Sequence, residues 1–314
     1  MPLTAPEIIE AFTQQIVFFP RYRRAYELIQ KGIETTTLSK QPACTALWAP
    51  VGTGKSTLLE FVKGQYGDET IKTTSEGSFH IVPVIYVSVP AKVTIKDLAK
   101  AILDKLHIGV VNGVLEDLSR LVIQNLKICQ TKVILLDEFQ NFAKPNSAKT
   151  AEDAAEWLRG ILDATKIPII VVGLPPKKDQ QDFIYSRPVL AARFPYFAEL
   201  SNLQYSDSAK GELLTVLHGL DKKMYELADL GRGAHLSDPT IYAPLYLACQ
   251  GNLKWMRLII LGALTDCLSR SPRTLSLEDF SVSYSQIRLD EDLARKDNPF
   301  QLGTAKCLKL ILEV

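Results

Sequence analysis

The stretch Ala49-Pro50-Val51-Gly52-Thr53-Gly54-Lys55-Ser56-Thr57 decides the fold of this chain. It follows the apolar run Thr45-Ala46-Leu47-Trp48 and precedes an amphipathic pattern whose apolar residues begin at Leu58. A strand, a glycine-bearing turn and a helix start in this order are typical of a phosphate-binding loop with the pattern G-x-x-x-x-G-K-[ST]. The sequence therefore predicts a nucleotide-binding site at this turn.

The residue types of the loop suit the binding of phosphate. Gly52 and Gly54 let the backbone curl so that its N–H groups face an anion, and the helix start adds the positive end of its dipole. We expect Lys55 to reach the β- and γ-phosphates and the Ser56 hydroxyl to bind Mg²⁺. Ala49 replaces the first glycine of the pattern, which weakens the match without breaking it. A glycine-rich turn without a ligand is the alternative interpretation. The predicted nucleotide-binding residues are Pro50, Val51, Gly52, Thr53, Gly54, Lys55, Ser56 and Thr57.

The composition limits the class of protein. The chain has 314 residues, enough for one large or two modest domains. Its 46% hydrophobic and 23% charged residues are ordinary for a globular protein, and the net charge of +1 excludes a global basic field. Any surface for nucleic acid must therefore be local. No apolar run has the length of a membrane span and the N-terminus lacks a signal-peptide layout, so we expect a cytoplasmic protein without a membrane segment.

The cysteines are odd in number and scattered, which favours reduced core residues over disulfides or a metal set. The four histidines show no ligand spacing either. The five cysteines are Cys44, Cys129, Cys249, Cys267 and Cys307.

Apolar strands alternate with helical patterns as far as residue 202. This order predicts an α/β fold whose parallel sheet is covered on both faces. The polar stretch from Tyr66 to Phe79 is predicted as a flexible excursion. Strands are predicted at 45–48, 81–89, 132–138, 167–173 and 196–200, and helices at 5–16, 21–33, 94–106, 115–128 and 151–164.

Strand patterns stop beyond residue 202, and only helices are predicted there. We therefore expect an α/β nucleotide-binding domain with N-terminal helices at 1–202, a small helical domain at 203–274, and a tail at 275–314 that docks a partner or a neighbouring subunit. The helices of the second domain are predicted at 206–217, 220–230, 238–249 and 253–269.

Two acids end the third predicted strand. Asp137 and Glu138 emerge at its carboxyl end, the edge where ligands bind in open α/β sheets. We interpret Asp137 as the Walker-B carboxylate that holds Mg²⁺, and Glu138 as the general base for the attacking water. A helix cap is the alternative for an isolated Asp-Glu pair, and the phosphate loop upstream favours the catalytic interpretation.

Taken together, these motifs and a helical lid resemble the AAA+ ATPases, which have an α/β P-loop NTPase core. Weaker marks resemble the TniB/TnsC transposition regulators, and the resemblance covers nearly the whole chain. These marks are Phe18-Phe19-Pro20, Asp137-Glu138-Phe139-Gln140-Asn141, Leu190-Ala191-Ala192-Arg193-Phe194, Gly251-Asn252-Leu253 and Asn298-Pro299-Phe300.

The resemblance implies a subunit that binds ATP and Mg²⁺ and forms a ring or helical filament. Such a subunit binds duplex DNA without sequence preference and links a TniQ-like targeting protein to a transposase. It also implies an arginine finger, for which Arg193 is the candidate, with Arg187 as the alternative. An ordinary surface arginine is the competing interpretation of Arg193. Lys254 or Arg257 is expected to be the nucleotide sensor of the lid.

Gly173 departs from the AAA+ pattern. AAA+ proteins usually end the fourth strand with a polar residue that helps to hold the attacking water, whereas this chain has Gly173-Leu174-Pro175. We therefore expect hydrolysis that is slow or stimulated by a partner.

Two groups of lysines are candidates for contact with DNA phosphates in a central channel. Solvated lysines on helical faces are the alternative interpretation. The groups are Lys92, Lys96 and Lys100 after the second predicted strand, and Lys144 and Lys149 after the Asp-Glu pair.

Two other functions fit the nucleotide motifs. One is an ATP switch of another system, either a helicase loader or an ExeA-like ATPase, although no membrane segment or wall-binding module is visible. The other is a nucleotide-gated scaffold with little turnover, which Gly173 favours and the Asp137-Glu138 pair opposes.

Overall fold

The computed structural model describes residues 3–74, 77–91, 94–109, 112–141, 148–177, 180–208, 210–231, 233–289 and 297–313. The chain divides into two compact units. The sheet unit comprises Arg23–Val51 and Lys55–Leu200. The helical unit comprises Met1–Tyr22, Gly52–Gly54 and Ser201–Val314, so the tip of the phosphate loop groups with the C-terminal helices.

Strands and helices are interspersed up to Glu199, and the described elements beyond it are helical. In chain order they are α1 (Ala5–Thr13), α2 (Pro20–Ser39), β1 (Thr45–Trp48), α3 (Lys55–Gly64), β2 (Thr70–Thr74), β3 (Gly77–Ile81), β4 (Val84–Ser88), α4 (Ile95–Lys105), α5 (Leu115–Ile128), β5 (Val133–Asp137), α6 (Ala148–Thr165), β6 (Ile169–Gly173), α7 (Pro188–Ala191), β7 (Tyr196–Glu199), α8 (Glu212–Ala228), α9 (Pro239–Cys249), α10 (Leu253–Leu268), α11 (Leu277–Gln286) and α12 (Thr304–Leu312), with short 3-10 turns at Phe139–Asn141 and Pro299–Gln301.

The predicted parallel sheet is confirmed. Its five strands have the order β4-β5-β6-β1-β7, and every neighbouring pair is parallel. Every residue of β1, β5 and β6 is buried, as expected for strands that are covered on both faces. Because β6 lies between β1 and β5, the phosphate loop and the Asp-Glu pair leave the same sheet edge two strands apart.

Amphipathic helices cover the sheet. In α4, Leu98, Ile102 and Leu103 are buried in the same apolar core as the sheet residues Ile85 and Ile134. A capping box between Thr94 and Asp97 fixes the start of α4, since each side chain bonds the other residue's backbone N–H. Helices α5 and α6 contribute Leu126 and Leu158 to the core.

The predicted flexible excursion at 66–79 is wrong in part, because β2 and β3 form an antiparallel hairpin there. The hairpin has little apolar patterning: Ile71 is 64% exposed, and no position of β3 is fully buried. Its strands are held by backbone pairing, which leaves no alternating hydrophobic signal in the sequence.

One helix, α8, replaces the two that were predicted at 206–217 and 220–230. The expected break fell near Gly219, which lies inside the continuous helix. A side chain at this position would have its Cβ 2.8 Å from Val17 Cγ1, so the glycine serves close packing and does not end the helix.

The helical unit includes the N-terminus as well as the predicted lid and tail. The Arg257 guanidinium donates to the carbonyl oxygens of Phe12, Thr13 and Gln15 over 2.7–3.1 Å. Arg21 pairs with Glu212 through two side-chain contacts. These contacts explain why α1 groups with the C-terminal helices and not with the sheet.

The side chains of all five cysteines are free and buried, in agreement with their interpretation as reduced core residues. Within the described part of the chain, none of the helices combines the length and the apolar content that a membrane span needs.

Asp279 is a buried acid that fixes the start of α11. It is 3% exposed, bonds Arg270 Nη2 at 2.8 Å, and accepts from the Ser276 backbone N–H at 2.8 Å. Burial alone would raise the pKa of Asp279, but the hydrogen bonds from Arg270 and Ser276 lower it by more, so it lies below its ordinary value of 3.8. The stabilisation is therefore present above the unfolded pKa and lost as the pH falls through the folded pKa.

We expect Asp279→Asn to lower the free energy of unfolding at neutral pH by about 1–3 kcal/mol, because it weakens the bonds to Arg270 and Ser276. Urea unfolding at neutral and at acid pH checks this. The gap between variant and wild type should narrow at acid pH, and an equal gap at both would contradict the role of the charged form.

Candidate nucleotide-binding site

Asp137 ends β5 and organises the polar groups at the sheet edge. It is buried, and its Oδ2 accepts hydrogen bonds from Ser56 Oγ at 3.0 Å and from the Tyr86 hydroxyl at 2.9 Å. Its Oδ1 accepts from the Glu138 N–H at 2.8 Å. The carboxylate is therefore fixed against the first turn of α3, as the predicted pairing of the phosphate loop with the Asp-Glu pair requires.

Lys55 is a buried cation at the start of α3. Its ammonium lies 3.3 Å from Glu138 Oε1, yet among the described residues it has no hydrogen-bond acceptor in suitable geometry. A buried ammonium is stabilised by several acceptors, so the arrangement fits a phosphate group at Lys55. This observation supports the prediction that the loop holds a nucleotide.

Glu138 follows Asp137 in a left-handed backbone conformation with φ of 55°. Such a conformation is uncommon for a side chain larger than glycine, and it turns the chain sharply after the strand. One carboxylate oxygen faces Lys55 and the other accepts a hydrogen bond from Gln140 Nε2. The side chain is 37% exposed, so water can reach it.

Oxygen ligands for Mg²⁺ are available at the same place. Ser56 Oγ and the Asp137 carboxylate are hard oxygen donors 3.0 Å apart, which fits an ion that keeps several waters and binds substrate phosphates. Within the described residues, no group of three or more His, Cys, Asp or Glu side chains could hold a metal ion.

The tip of the phosphate loop is bonded to the start of α10 within the helical unit. Gly52 and Gly54 have φ of 82° and 89°, conformations that favour glycine. The Gly52 carbonyl accepts from the Lys254 N–H at 2.9 Å, and a Cβ on Gly52 would lie 2.3 Å from Asn252 Oδ1. Asn252 also caps α10 by accepting from the Lys254 N–H at 3.2 Å.

Tyr22 fixes the other glycine of the loop. Its hydroxyl donates to the Gly54 carbonyl at 2.9 Å, and its ring packs against Phe18 and Phe19. The aromatic-proline stretch before α2 thus supports the loop conformation from within the helical unit.

The two candidate lid sensors have different environments. The Lys254 side chain is exposed, with its ammonium 4.9 Å from the centre of the Trp255 ring. The Arg257 guanidinium is partly buried against the end of α1, and burial lowers its pKa.

Both candidate arginine fingers are engaged inside the sheet unit. Arg193 makes a double contact with Asp163, at 3.0 and 2.7 Å, and this hydrogen bonding lowers the pKa of the Asp163 carboxyl. Arg187 bonds Glu152 at 3.1 Å and lies over the Phe183 ring. Either arginine would have to leave its acid to reach a neighbouring subunit.

The predicted DNA-binding lysines are described only in part. Lys96 and Lys100 are exposed and lie one turn apart on α4. Lys92, Lys144 and the side chain of Lys149 lie outside the described residues.

The sequence interpretation missed two side chains that contact the acid pair, Tyr86 and Gln140. Tyr86 lies in the middle of β4 with aliphatic neighbours on both sides, and burial, followed by the Asp137 contact, raises its pKa. Gln140 belongs to the stretch Asp137–Asn141 that carries the family resemblance. Two sequence features could have identified these side chains. One is a tyrosine in the strand that neighbours the acid-bearing strand, and the other is a side-chain amide two residues after Glu138.

The parallel sheet, with a phosphate loop after β1 and acids after β5, has the AAA+ P-loop fold. Among the solved structures that are similar to the chain are two whose low sequence identity supports the fold alone. The Orc1 protein of Aeropyrum pernix, in complex with DNA, has a TM-score of 0.57 at 15% identity over 89% of this chain and 68% of its own. Cdc6p from Pyrobaculum aerophilum has a TM-score of 0.54 at 13% identity over 90% of this chain and 72% of its own.

Residues 8–200 match the model of the bacterial TniB protein family. Since the match spans more than half of the 314 residues, the chain belongs to the TniB family. No curated protein sequence is similar enough to the chain to give a significant match.

We expect Gly52→Ala to weaken nucleotide binding about tenfold or more, because a side chain is strained at positive φ and would strike Asn252. Titration with a fluorescent ATP analogue measures the effect. Gly64→Ala is the matched control, since a Cβ there meets nothing within 4 Å. Equal affinities for the two variants would contradict the prediction.

Proposed function

We propose that the chain is an ATP-dependent regulator of DNA transposition that oligomerises on duplex DNA and links a TniQ-like targeting protein to a transposase. Membership of the TniB family supports the transposition role. The observation that carries the ATP-dependent part is the buried Lys55 ammonium beside the Ser56–Asp137 pair. We place this activity in the cytoplasm, where the DNA is.

The chain binds ATP through the loop from Pro50 to Thr57. The backbone N–H groups around Gly52 and Gly54 bind phosphate oxygens, and Lys55 neutralises the β- and γ-phosphates. Ser56 and Asp137 would hold Mg²⁺, which would neutralise charge on the transferred phosphoryl group. Tyr86 orients the Asp137 carboxylate through its hydrogen bond at 2.9 Å.

Glu138 acts as the general base for hydrolysis. Its carboxylate takes a proton from water while the water oxygen bonds to the γ-phosphorus. The bond from that phosphorus to the bridging oxygen breaks, which leaves ADP and inorganic phosphate. Lys55 lies 3.3 Å from the carboxylate, so a bound γ-phosphate competes with Glu138 for the same ammonium. That competition frees Glu138 when the substrate is in place.

We expect Glu138→Gln to lower ATP turnover about a hundredfold or more while ATP binding persists, because an amide cannot accept the proton. Phosphate release and analogue titration measure the two quantities separately. Glu116→Gln, the same change at an exposed position of α5, is the matched control. Unchanged turnover in Glu138→Gln would favour the scaffold alternative.

Among the sensor candidates we assign the role to Lys254. Its backbone N–H already bonds the Gly52 carbonyl, and its ammonium is exposed. Arg257 has its guanidinium committed to three carbonyl groups at the end of α1, which supports a structural role.

We propose Arg193 as the finger for a neighbouring subunit, with Arg187 as the alternative. Arg193 is expected to leave Asp163 only when the γ-phosphate of a neighbouring subunit's ATP offers a stronger anionic partner. Assembly and ATP occupancy are then coupled, since the finger leaves its acid only in an ATP-bound oligomer. The tail from residue 275 on serves as the docking element for a partner or a neighbouring subunit.

Lys96 and Lys100 support the DNA-binding part, together with the other proposed lysines. Both are exposed on one face of α4, where they can contact phosphates without reading bases. A chain of net charge +1 can bind DNA tightly if each subunit of an oligomer contributes a few such contacts.

We expect the double variant Lys96→Ala/Lys100→Ala to weaken duplex binding on every sequence, and to reduce the salt slope by about two per subunit. Anisotropy titrations across a salt series with ATP, with ADP and with a non-hydrolysable analogue measure both. Lys105→Ala is the matched control because this exposed lysine lies on another face of the same helix. Equal slopes would remove α4 from the DNA surface, and no binding in any nucleotide state would overturn the DNA-loading function.

A nucleotide-gated scaffold is the second candidate, because Gly173 lacks the polar side chain that usually holds the attacking water in AAA+ proteins. A helicase loader or an ExeA-like ATPase shares the nucleotide motifs, but no described contact favours either one.

A further inference from the structure

We propose that Gln140 is a positioning residue, whose amide replaces the polar side chain missing at Gly173 and holds the Glu138 carboxylate. The inference rests on the proposed hydrolytic function of Glu138. It concerns a residue to which neither the family match nor the sequence motifs assign a role.

Gln140 contacts both strand ends at the site. Its Nε2 donates to Glu138 Oε2, just after β5, and its Oε1 accepts from the Leu174 N–H at 3.0 Å, just after β6. A backbone N–H can only donate and an ionised carboxylate can only accept, so these two partners fix the orientation of the amide. One side chain therefore ties the general base to the end of β6.

The Gln140 side chain occupies space that is open only because residue 173 is a glycine. A Cβ built on Gly173 would lie 2.8 Å from Gln140 Oε1 and 3.1 Å from the Gln140 backbone nitrogen. Any side chain at 173 would thus displace the amide. Glycine at the end of β6 and glutamine in the turn after β5 are complementary, and the polar group arrives from the neighbouring strand.

The Gln140 bridge links Glu138 to the phosphate loop, because the end of β6 is itself bonded to that loop. The Gly173 carbonyl accepts from the Ala49 N–H at 2.9 Å, at the first residue of the loop motif. The end of β6 is thus fixed to the start of the phosphate loop, and Gln140 extends this fixed frame to Glu138. The Glu138 carboxylate is thus held relative to the start of the phosphate loop, although its own backbone has the uncommon φ of 55°.

Only a glutamine satisfies both contacts from this backbone position. Asparagine is one methylene shorter and cannot span them. Glutamate keeps an acceptor for Leu174 but places a second carboxylate against Glu138, where like charges repel. A positioning role for Gln140 therefore predicts that Gln140→Glu loses activity, whereas a purely structural role would not distinguish the charge.

Steady-state ATP hydrolysis by Gln140 variants of the full chain tests the inference. We expect Gln140→Ala to lower kcat about tenfold or more, while the Kd of an ATP analogue changes less than about twofold, because the amide acts on the base and not on ground-state binding. Gln140→Glu should lower kcat at least as much. In the Glu138→Gln background, Gln140→Ala should change the residual rate less than about twofold, because the amide then has no base to position.

Asn141→Ala is the matched control. Asn141 lies in the same 3-10 turn, but its side-chain amide donates to the Val89 carbonyl at 2.9 Å. Its contact with Glu138 is the backbone N–H to the Glu138 carbonyl, which alanine keeps. Thermal unfolding of each variant identifies a loss of fold. We expect Asn141→Ala to keep its kcat, and a loss as large as that of Gln140→Ala would overturn the inference by making the turn itself responsible.

The outcomes separate this inference from the proposed function. If Glu138→Gln is inactive but Gln140→Ala or Gln140→Glu hydrolyses ATP like the wild type, the role of Gln140 is overturned and the hydrolytic function stands. If Gln140→Ala lowers the rate equally in the wild-type and Glu138→Gln backgrounds, the amide does not act through Glu138. If Glu138→Gln and the wild type hydrolyse ATP equally, the hydrolytic function fails and positioning by Gln140 fails with it.

Discussion

The contact between the Ser56 hydroxyl and the Asp137 carboxylate joins two strand ends that are not neighbours. Adjacent strands lie about 4.8 Å apart, so β1 and β5, with β6 between them, are separated by about twice that distance at the sheet edge. The hydroxyl and the carboxylate meet at 3.0 Å only because side chains from both sides reach across the end of β6. Gly173 ends that strand without a side chain, and Gln140 uses the space.

The charges at this edge depend on one another. Lys55 is buried with Glu138 at 3.3 Å, while Ser56, Tyr86 and the Glu138 N–H satisfy the oxygens of Asp137. Among the described residues, the Lys55 ammonium has no hydrogen-bond acceptor in suitable geometry. The carboxylates of Asp137 and Glu138, by contrast, already accept hydrogen bonds. A phosphate group would supply the acceptors that the Lys55 ammonium needs without disturbing Asp137, and this difference supports the proposed anion site.

The phosphate loop is also constrained from its tip. Asn252 lies against Gly52 and caps α10, and the Tyr22 hydroxyl bonds the Gly54 carbonyl. The glycines therefore satisfy two requirements, the positive φ of an anion-binding loop and the close approach of side chains from distant parts of the sequence. Gly52 and Asn252 are about 200 positions apart in the chain, so no local pattern around the loop could have identified Asn252 as its partner.

The sequence by itself determined the phosphate loop, the acid pair and the parallel α/β fold, because each leaves a local pattern: a fixed spacing of Gly, Lys and Ser, acids after an apolar strand, and strands that alternate with helices. It did not determine the β2–β3 hairpin, whose exposed strands lack apolar alternation, or the continuity of α8 through Gly219, which depends on packing against Val17. Tertiary structure alone decided the placement of Tyr86 and Gln140 at the acid pair and the grouping of α1 with the C-terminal helices. These features depend on contacts between residues far apart in the chain or on side-chain direction, and neither is encoded in local periodicity.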